Sequence, residues 1–259
     1  MIPLLRPMII ALGLTLLWQS IVWITGAPKF ILPGPMQVFS TLIEQAPLLA
    51  KHASITLAEI LLGLVFGVLL GLLSALSLAT WGPLRRWLMP VLVISQAIPV
   101  FALAPVLMLW LGYGMASKVA MATLIIYFPV TAACFDGLRQ TPTGYLKLAR
   151  TLGASKTAQL LQIQLPAALP AFASGLRVAA SVAPIGAVVG EWVGSSTGLG
   201  YLMLNANARM QVDLMFAALL VLALIAVSLY FLIDFLARRL MPWQADSLNK
   251  ANASTAGSR

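Results

Sequence analysis

Six apolar stretches alternate with short polar segments along the chain, and each is long enough to cross a bilayer as a helix. A hydrocarbon core about 30 Å thick requires roughly 20 apolar residues in an α-helix. The stretches that meet this requirement are 8–26, 54–79, 87–112, 115–135, 170–194 and 214–237. The pattern predicts an all-α, polytopic membrane protein with six transmembrane helices.

The third stretch is interrupted by Pro90, Pro99 and Pro105. Proline lacks a backbone donor and clashes with the preceding turn, and a broken helix at membrane depth persists only inside protein or beside a water-filled cavity. The third span is therefore a candidate for a substrate pathway, and the alternative is an ordinary kinked helix.

Basic residues are distributed unequally between the two sides of the predicted bundle. With a cytoplasmic N-terminus, one side carries Arg6, Arg85, Arg86, Arg139, Lys147, Arg150, Lys156, Arg238, Arg239, Lys250 and Arg259, and the other carries Lys29, Lys51, Lys118 and Arg209. Lysine and arginine accumulate in short cytoplasmic loops, so both termini are predicted to be cytoplasmic. We expect one transmembrane domain over 1–243 and a disordered polar tail over 244–259.

Composition supports the membrane assignment and excludes several other functions. Hydrophobic residues make up 61% of the chain and charged residues 9%, whereas about a quarter of a soluble domain is charged. The net charge of +9 does not indicate nucleic-acid binding, because the basic residues stand between apolar runs. A single cysteine, Cys134, and a single histidine, His52, predict neither a disulfide nor a His/Cys metal site.

The loop at about 136–169 is the longest connection on the predicted cytoplasmic side. Helical periodicity over 143–149 and 155–165 predicts two short helices, with Gly153 at the turn, Ser155 as the cap of the second and Pro166 as its end. An exposed helical elbow with basic residues is typical of a surface that docks another protein.

This loop resembles the hallmark segment of the permease subunits of bacterial ABC importers, E-A-A-x(3)-G-x(9)-I-x-L-P. Gly153, Ile163, Leu165 and Pro166 fit the spacing, whereas Lys147, Leu148 and Ala149 stand in place of E-A-A. The resemblance implies a type I importer fold, a coupling helix in this loop, a homodimer, and mechanical movement driven by a separate ATPase that binds ATP and Mg²⁺. It also implies the bacterial inner membrane and a periplasmic or lipid-anchored substrate-binding protein as a second partner.

Three further segments extend the resemblance over about 32–243: LPGPMQVFSTL, SQAIPVFALAPVLMLWLGYG and GAVVGEWVGSSTGLGYLM. They resemble the nitrate/sulfonate/taurine type of permease, and within it the members assigned to hydroxymethylpyrimidine, a thiamine precursor. We therefore expect import of this compound or a related precursor. The alternatives are import of a sulfonate, taurine or nitrate by the same class, or a secondary transporter driven by an ion gradient.

Two carboxylates within the spans are the remaining candidates for chemistry, because such groups are costly in a membrane and usually have a partner or a cavity. Glu59 and Glu191 are predicted near the entry side, with no basic residue at comparable depth inside the spans. With Gln96 and the Pro99 break they are candidate pathway residues for a donor-rich heterocycle. The alternative is that Glu59 bonds a neighbouring helix and Glu191 sits at the interface.

The other polar residues are expected to be structural. Asp234 and Arg238 are spaced for an i, i+4 pair, and Arg177 is expected to extend toward the cytoplasmic surface. His52 is expected in a solvated loop and Cys134 in helix packing. No catalytic cluster and no Walker A motif is found, since GASKT at 153–157 lacks the glycine before lysine, so no enzymatic activity is predicted for this chain.

Overall fold

The computed structural model describes residues 2–243, with the side chains described from Met8 onward except that of Gln96. The predicted tail at 244–259 lies outside the described residues. Within 2–243 the chain forms helices and no strand. In order they are α1 (Ile2–Thr25), α2 (Pro35–Glu44), α3 (Ala46–Thr80), α4 (Gly82–Ala97), α5 (Val100–Leu111), α6 (Met115–Arg139), α7 (Thr143–Thr151), α8 (Lys156–Gln159), α9 (Leu165–Gly194), α10 (Leu199–Ala208) and α11 (Val212–Leu240).

Five helical segments in the described chain are long and apolar enough to cross a membrane, and the broken pair α4–α5 makes six if it counts as one span. Each of the predicted spans falls on one of these segments. The second starts earlier than predicted, at Ala46, and the fifth continues without interruption from Lys156 to Gly194 through a π-helical segment, Leu160–Gln164. The six-span prediction is confirmed with these longer boundaries.

The predicted break in the third span lies at Ile98 and Pro99. Pro99 is the N-cap of α5, whereas Pro90 and Pro105 stand inside α4 and α5. A proline at a helix start loses no intrahelical bond, since that N–H has no partner in any case. The span is therefore interrupted, and one of its three prolines marks the interruption.

The described chain divides into two compact units. The first comprises residues up to Phe66, Ile98–Ile125 and Val182–Val227. Its core contains Val38, Leu49, Leu199, Leu202 and Ala217, and Trp18 of α1 stacks on Phe216 with ring centroids 5.6 Å apart. Helices α3, α6 and α9 approach closely at Ala122, because a Cβ on Gly63 would lie 2.4 Å from the Ala122 Cβ and one on Gly186 2.6 Å from its Cα.

The second unit comprises Gly67–Ala97, Ile126–Ser181 and the chain from Ser228. Its core contains Leu78, Leu92, Phe135, Leu138 and the free thiol of Cys134, which is buried among apolar side chains as predicted. Small residues again allow close packing: a Cβ on Gly175 would lie 2.4 Å from the Ala133 Cβ. Gly71, the last glycine of a G-x-x-x-G pattern in α3, serves the same purpose, since a Cβ there would lie 2.8 Å from Val130 Cγ1.

Candidate functional site

The segment that resembles the coupling loop forms a helix, a tight turn and a second helix. Helix α7 ends before Gly153, which takes φ +81°, and Ser155 caps α8 by accepting a hydrogen bond from the Ala158 N–H at 3.2 Å. The left-handed conformation at Gly153 costs glycine little, and the serine satisfies an N–H that the new helix leaves unpaired. The turn and the cap are as predicted.

Helix α7 and the C-cap residue that follows it expose an apolar stripe, which we call the coupling surface: Tyr145, Leu148 and Leu152. Their side chains are 62%, 59% and 77% exposed, and their spacing of three and four residues places them on one helical face. Lys147 and Arg150 are exposed beside them, whereas Ala149 is buried beneath. Between Asp136 and Glu191 the sequence has five basic residues and no acidic one. The coupling surface is therefore apolar with a positive rim.

The end of the predicted motif differs from expectation. Ile163, Leu165 and Pro166 are half-buried, and Pro166 does not end the second helix. Helix α8 widens into the π-helical segment over Leu160–Gln164 and continues as α9 from Leu165. A π turn shifts the hydrogen-bond ladder by one residue, and this local widening accommodates a proline that would disturb a regular α-helix. The prediction that Pro166 stops the helix is wrong.

Of the candidate pathway residues, Gln96 and Pro99 flank the break in the third span. Pro99 is exposed, whereas the Gln96 side chain lies outside the described part of the structure. Glu59 and Glu191 are 0% and 1% exposed and lie together inside the first unit. Lining of a substrate pathway by these four residues stays a prediction. In this conformation both carboxylates are engaged by groups of the protein itself.

Glu191 stands three residues before the end of α9, and its carboxylate lies at the start of α10. Its Oε1 accepts a hydrogen bond from the Thr56 hydroxyl at 2.6 Å, and its Oε2 accepts from the backbone N–H groups of Gly200 at 2.5 Å and Tyr201 at 3.3 Å. A helix N-terminus favours a negative charge, because its N–H groups point outward and carry the positive end of the helix dipole. The Glu191 carboxyl oxygens thus act as hydrogen-bond acceptors at the N-terminus of α10.

The two remaining N–H groups at this helix start are bound by α3. The Leu199 N–H donates to the Thr56 hydroxyl at 2.8 Å, and the Gly198 N–H donates to His52 Nδ1 at 3.0 Å. The first N–H groups of a helix have no partner within it. Here the N–H groups of Gly198, Leu199, Gly200 and Tyr201 all bind side chains of α3 and α9. We call this set, with His52, Thr56 and Glu191, the α10 clamp.

The expectation of a solvated His52 is wrong. The side chain is buried within α3, its Nδ1 acts as an acceptor, and its ring stacks on Tyr201 with centroids 6.1 Å apart. Because α3 begins at Ala46, eight residues before the predicted span, the histidine lies inside a helix rather than in a loop.

Glu59 lies next to Glu191 and forms an ion pair with Lys118 of α6, with 3.0 Å between Nζ and Oε1. Both side chains are almost fully buried, at 0% and 5% exposure, and neither Glu59 oxygen has a hydrogen bond of good geometry from the described residues. The expectation of no basic residue at comparable depth is therefore wrong. Lys118 is the fourth residue of α6 and turns inward, where a buried charge needs a partner.

Gly198 is the one position of the α10 clamp where backbone geometry dictates the residue. Its φ is +107°, which side chains with a Cβ rarely adopt, and a Cβ there would lie 2.2 Å from the Glu191 carboxyl carbon. Glycine both permits the conformation and leaves room for the carboxylate.

Helix α10 also borders a surface cleft of about 430 Å³ in the first unit. The cleft is walled by the end of α2, by α10 and by the start of α11, and a hydrogen bond of 2.9 Å from the Thr41 hydroxyl to Asp213 joins two of these walls. Its polar lining comprises Thr41, Glu44, Gln45, Tyr201, Asn205, Arg209, Gln211 and Asp213. Its size suits a small solute or an inserted side chain.

In the second unit, Asp234 binds two arginines. Arg238 Nε lies 2.8 Å from Oδ2, which confirms the i, i+4 pair, and Arg177 Nε lies 2.7 Å from Oδ1. Arg177 therefore joins α9 to α11 through Asp234, an inter-helix contact that sequence spacing did not indicate. Among residues 2–243, no three His, Cys, Asp or Glu side chains converge as metal ligands.

Comparison with known proteins places these features in a family. Residues 63–244 match the model of the binding-protein-dependent transport system inner membrane component. A probable ABC transporter permease protein of Haemophilus influenzae is 60% identical over 92% of this chain and 97% of its own length. The formylaminopyrimidine transport permease protein ThiX of Halalkalibacterium halodurans is 37% identical over 93% of this chain and 96% of its own length.

A solved structure shares the fold. The inward-facing MetNI methionine ABC transporter aligns with a TM-score of 0.67 at 21% identity, over 76% of this chain and 97% of that one. This likeness confirms the type I importer permease architecture expected from the sequence. The chain belongs to the family of binding-protein-dependent transport system inner membrane components, and it is a multi-pass inner-membrane permease subunit of an ABC importer rather than an enzyme.

Proposed function

We propose that this permease serves an ATP-driven importer of a pyrimidine precursor of the hydroxymethylpyrimidine type. The observation that carries this proposal is the 37% identity, over almost the full length of both chains, to a relative named as a formylaminopyrimidine permease. A relative named as a riboflavin permease, from Chloroflexus aurantiacus, is equally similar, and a taurine permease of Escherichia coli is 28% identical. Both named relatives at 37% carry nitrogen heterocycles, which favours a heterocycle over a sulfonate.

Uptake in the organism that encodes the chain tests the substrate. Deletion of the permease gene is expected to abolish accumulation of labelled hydroxymethylpyrimidine, with labelled taurine uptake unchanged and complementation restoring the loss. Intact pyrimidine uptake together with lost taurine or riboflavin uptake would refute the proposal.

This chain forms the transport pathway, and a partner subunit supplies the energy for transport. No Walker A motif occurs in the sequence, so ATP and Mg²⁺ belong to a separate cytoplasmic ATPase. The coupling segment, with Lys147, Leu148, Ala149, Gly153, Ile163, Leu165 and Pro166, is the docking element for that ATPase. Its exposed apolar stripe supports this role, because a group of large apolar side chains on the surface, rimmed by polar residues, is typical of a protein–protein interaction site.

The proposal also includes the orientation of the chain in the membrane and its assembly with partner subunits. The coupling segment and the larger group of basic residues lie on the cytoplasmic side with both termini, and a substrate-binding protein delivers solute to the opposite, periplasmic side. Two copies of the chain form the pathway between them, as a homodimer in membrane lipid. Family membership favours an ATP-driven mechanism over the ion-gradient alternative.

Copurification tests the docking element. We expect Leu148→Asp combined with Leu152→Asp to abolish recovery of the ATPase with the tagged permease, because the two carboxylates would be buried without partners. Thr143→Asp is the matched control, since it adds an acid to the exposed first turn of the same helix, where a negative charge is favourable. Full ATPase recovery with the double variant would refute the assignment.

A further inference from the structure

The start of α10 is held by side chains from outside that helix. Its four leading N–H groups end on His52, Thr56 and Glu191, which belong to α3 and α9. Most helix starts are satisfied by the residue that caps them or by water. Here the cap position is Gly198, which has no side chain to offer, so α10 cannot keep these bonds if it moves away from α3 and α9.

Thr56 links the two halves of the clamp. Its hydroxyl accepts from the Leu199 N–H and donates to Glu191 Oε1, so one oxygen uses both of its hydrogen-bonding roles. The hydroxyl is completely buried with the carboxylate, and no solvent competes for these bonds. The direction of the hydrogen bonds therefore requires Glu191 to act as an acceptor at both oxygens.

The helices on either side of the clamp connect it to the coupling segment and to the cleft. Helix α9 begins at Leu165, at the end of the coupling segment, and carries Glu191 near its other end. Helix α10 supplies one wall of the cleft through Tyr201, Asn205 and Arg209. A displacement of α9 is thus transmitted to the cleft wall as long as the carboxylate stays bound to the N-terminus of α10.

We propose that Glu191 is a positioning residue for transport: it ties α10 to α9 and α3, so that movement driven from the coupling segment reaches the cleft wall. This inference rests on the proposed coupling to an ATPase. It differs from the prediction that Glu191 contacts the solute, because the carboxylate here is saturated by protein donors. The Glu191 carboxylate is held at the N-terminus of α10, and the Thr56 hydroxyl joins it to the Leu199 N–H.

The test compares Thr56→Val, Thr56→Ser and Glu191→Gln in proteoliposomes that contain the complete complex with its ATPase and binding protein. The amount of labelled hydroxymethylpyrimidine transported and the amount of ATP hydrolysed are measured together over a range of concentrations of the loaded binding protein. The valine variant keeps the shape of threonine but loses the hydroxyl, and serine keeps the hydroxyl. Glutamine keeps the shape of Glu191 but turns one acceptor into a donor, which faces either the Gly200 N–H or the Thr56 hydroxyl.

We expect Thr56→Val and Glu191→Gln to lower the amount of solute transported per ATP about tenfold, which corresponds to about 1.4 kcal/mol. The KM for the loaded binding protein should stay within a factor of about two, and Thr56→Ser should retain the wild-type ratio. A solute-contacting role predicts the reverse, a raised KM for the loaded binding protein with an unchanged transport-to-ATP ratio.

The possible results separate the two roles. An unchanged transport-to-ATP ratio in Thr56→Val overturns the positioning role, whether or not the KM is raised. If Glu191→Gln does not assemble, the valine and serine variants at Thr56 still decide. Failure of the wild-type chain to copurify with any ATPase would instead refute the proposed function and leave no coupling to measure.

Discussion

Replacement of Lys118 by methionine is expected to destabilise the permease more than replacement of Glu59 by glutamine. The two charges are 3.0 Å apart and almost fully buried, which gives about 5.5 kcal/mol of gross attraction at an effective dielectric constant of about 20. Removal of one partner of a buried pair typically costs about 3–5 kcal/mol, because the other charge stays buried without compensation. The two removals are unequal here because Glu191 lies beside Glu59.

Without Lys118, two neighbouring carboxylates stay buried with no cation, so Lys118→Met should cost the full amount of about 3–5 kcal/mol. Glu59→Gln also removes the repulsion between Glu59 and Glu191, which offsets part of the lost ion pair, so Glu59→Gln should cost less. Addition of Glu59→Gln to Lys118→Met removes the carboxylate repulsion and should restore part of the loss. This order of stabilities follows from the three charges and their positions.

Thermal unfolding of the purified permease in one detergent–lipid mixture measures the order. For a chain of this size, the full loss corresponds to a midpoint lowered by about 10 °C. The matched control is Lys51→Met, since Lys51 is an exposed lysine on α3 and its removal should change the midpoint little. A double variant less stable than Lys118→Met, or a Glu59→Gln variant at least as unstable as Lys118→Met, would refute the charge argument.

Three further pairs of substitutions test other contacts by the same unfolding measurement. Gly198→Ala should lower the unfolding midpoint much more than Gly112→Ala. Both glycines have a positive φ, but a Cβ at Gly112 meets nothing within 4 Å. Equal changes of the midpoint would show that the clash at Gly198 does not matter. Asp234→Asn should cost about 1–2 kcal/mol and Arg238→Ala about 0.5 kcal/mol or less, because the arginine is mostly exposed and screened by solvent; the reverse order would contradict the inter-helix role of the aspartate. Thr41→Val should cost about 1 kcal/mol and Thr41→Ser much less, because serine keeps the hydroxyl that bonds across the cleft; equal losses would assign the effect to packing.

The spans and the coupling turn were predictable from the sequence because their causes are local. A transmembrane helix must satisfy its own backbone in lipid and must be apolar over its length, and hydropathy reports both. The turn at Gly153 and the cap at Ser155 are set by residues adjacent in sequence. Hydropathy does not report how far a helix extends beyond the apolar run, and so His52 of α3 was placed in a loop.

The buried network was not predictable, because its members are distant in sequence and meet through helix packing. Lys118 stands at the start of α6, where lysine usually faces solvent, and its pairing depends on the rotation of α6 against α3. Glycines at 198 and 200 are compatible with a tight turn, but nothing in their spacing indicates that Glu191 binds the helix that begins there. The π-helical segment before Pro166 likewise depends on a hydrogen-bond shift that side-chain periodicity does not encode.

The ion pair between Glu59 and Lys118 has a consequence for how the protein is made. An unpaired charged residue raises the cost of inserting its segment into the bilayer by about 2.5–3.5 kcal/mol at the membrane centre. Glu59 leaves the ribosome well before Lys118, so the second span enters the membrane without its partner. The cation arrives only with the fourth span, so a chain that stops between the two residues leaves the carboxylate without this partner. The order of synthesis therefore places the formation of the Glu59–Lys118 ion pair after insertion of the fourth span.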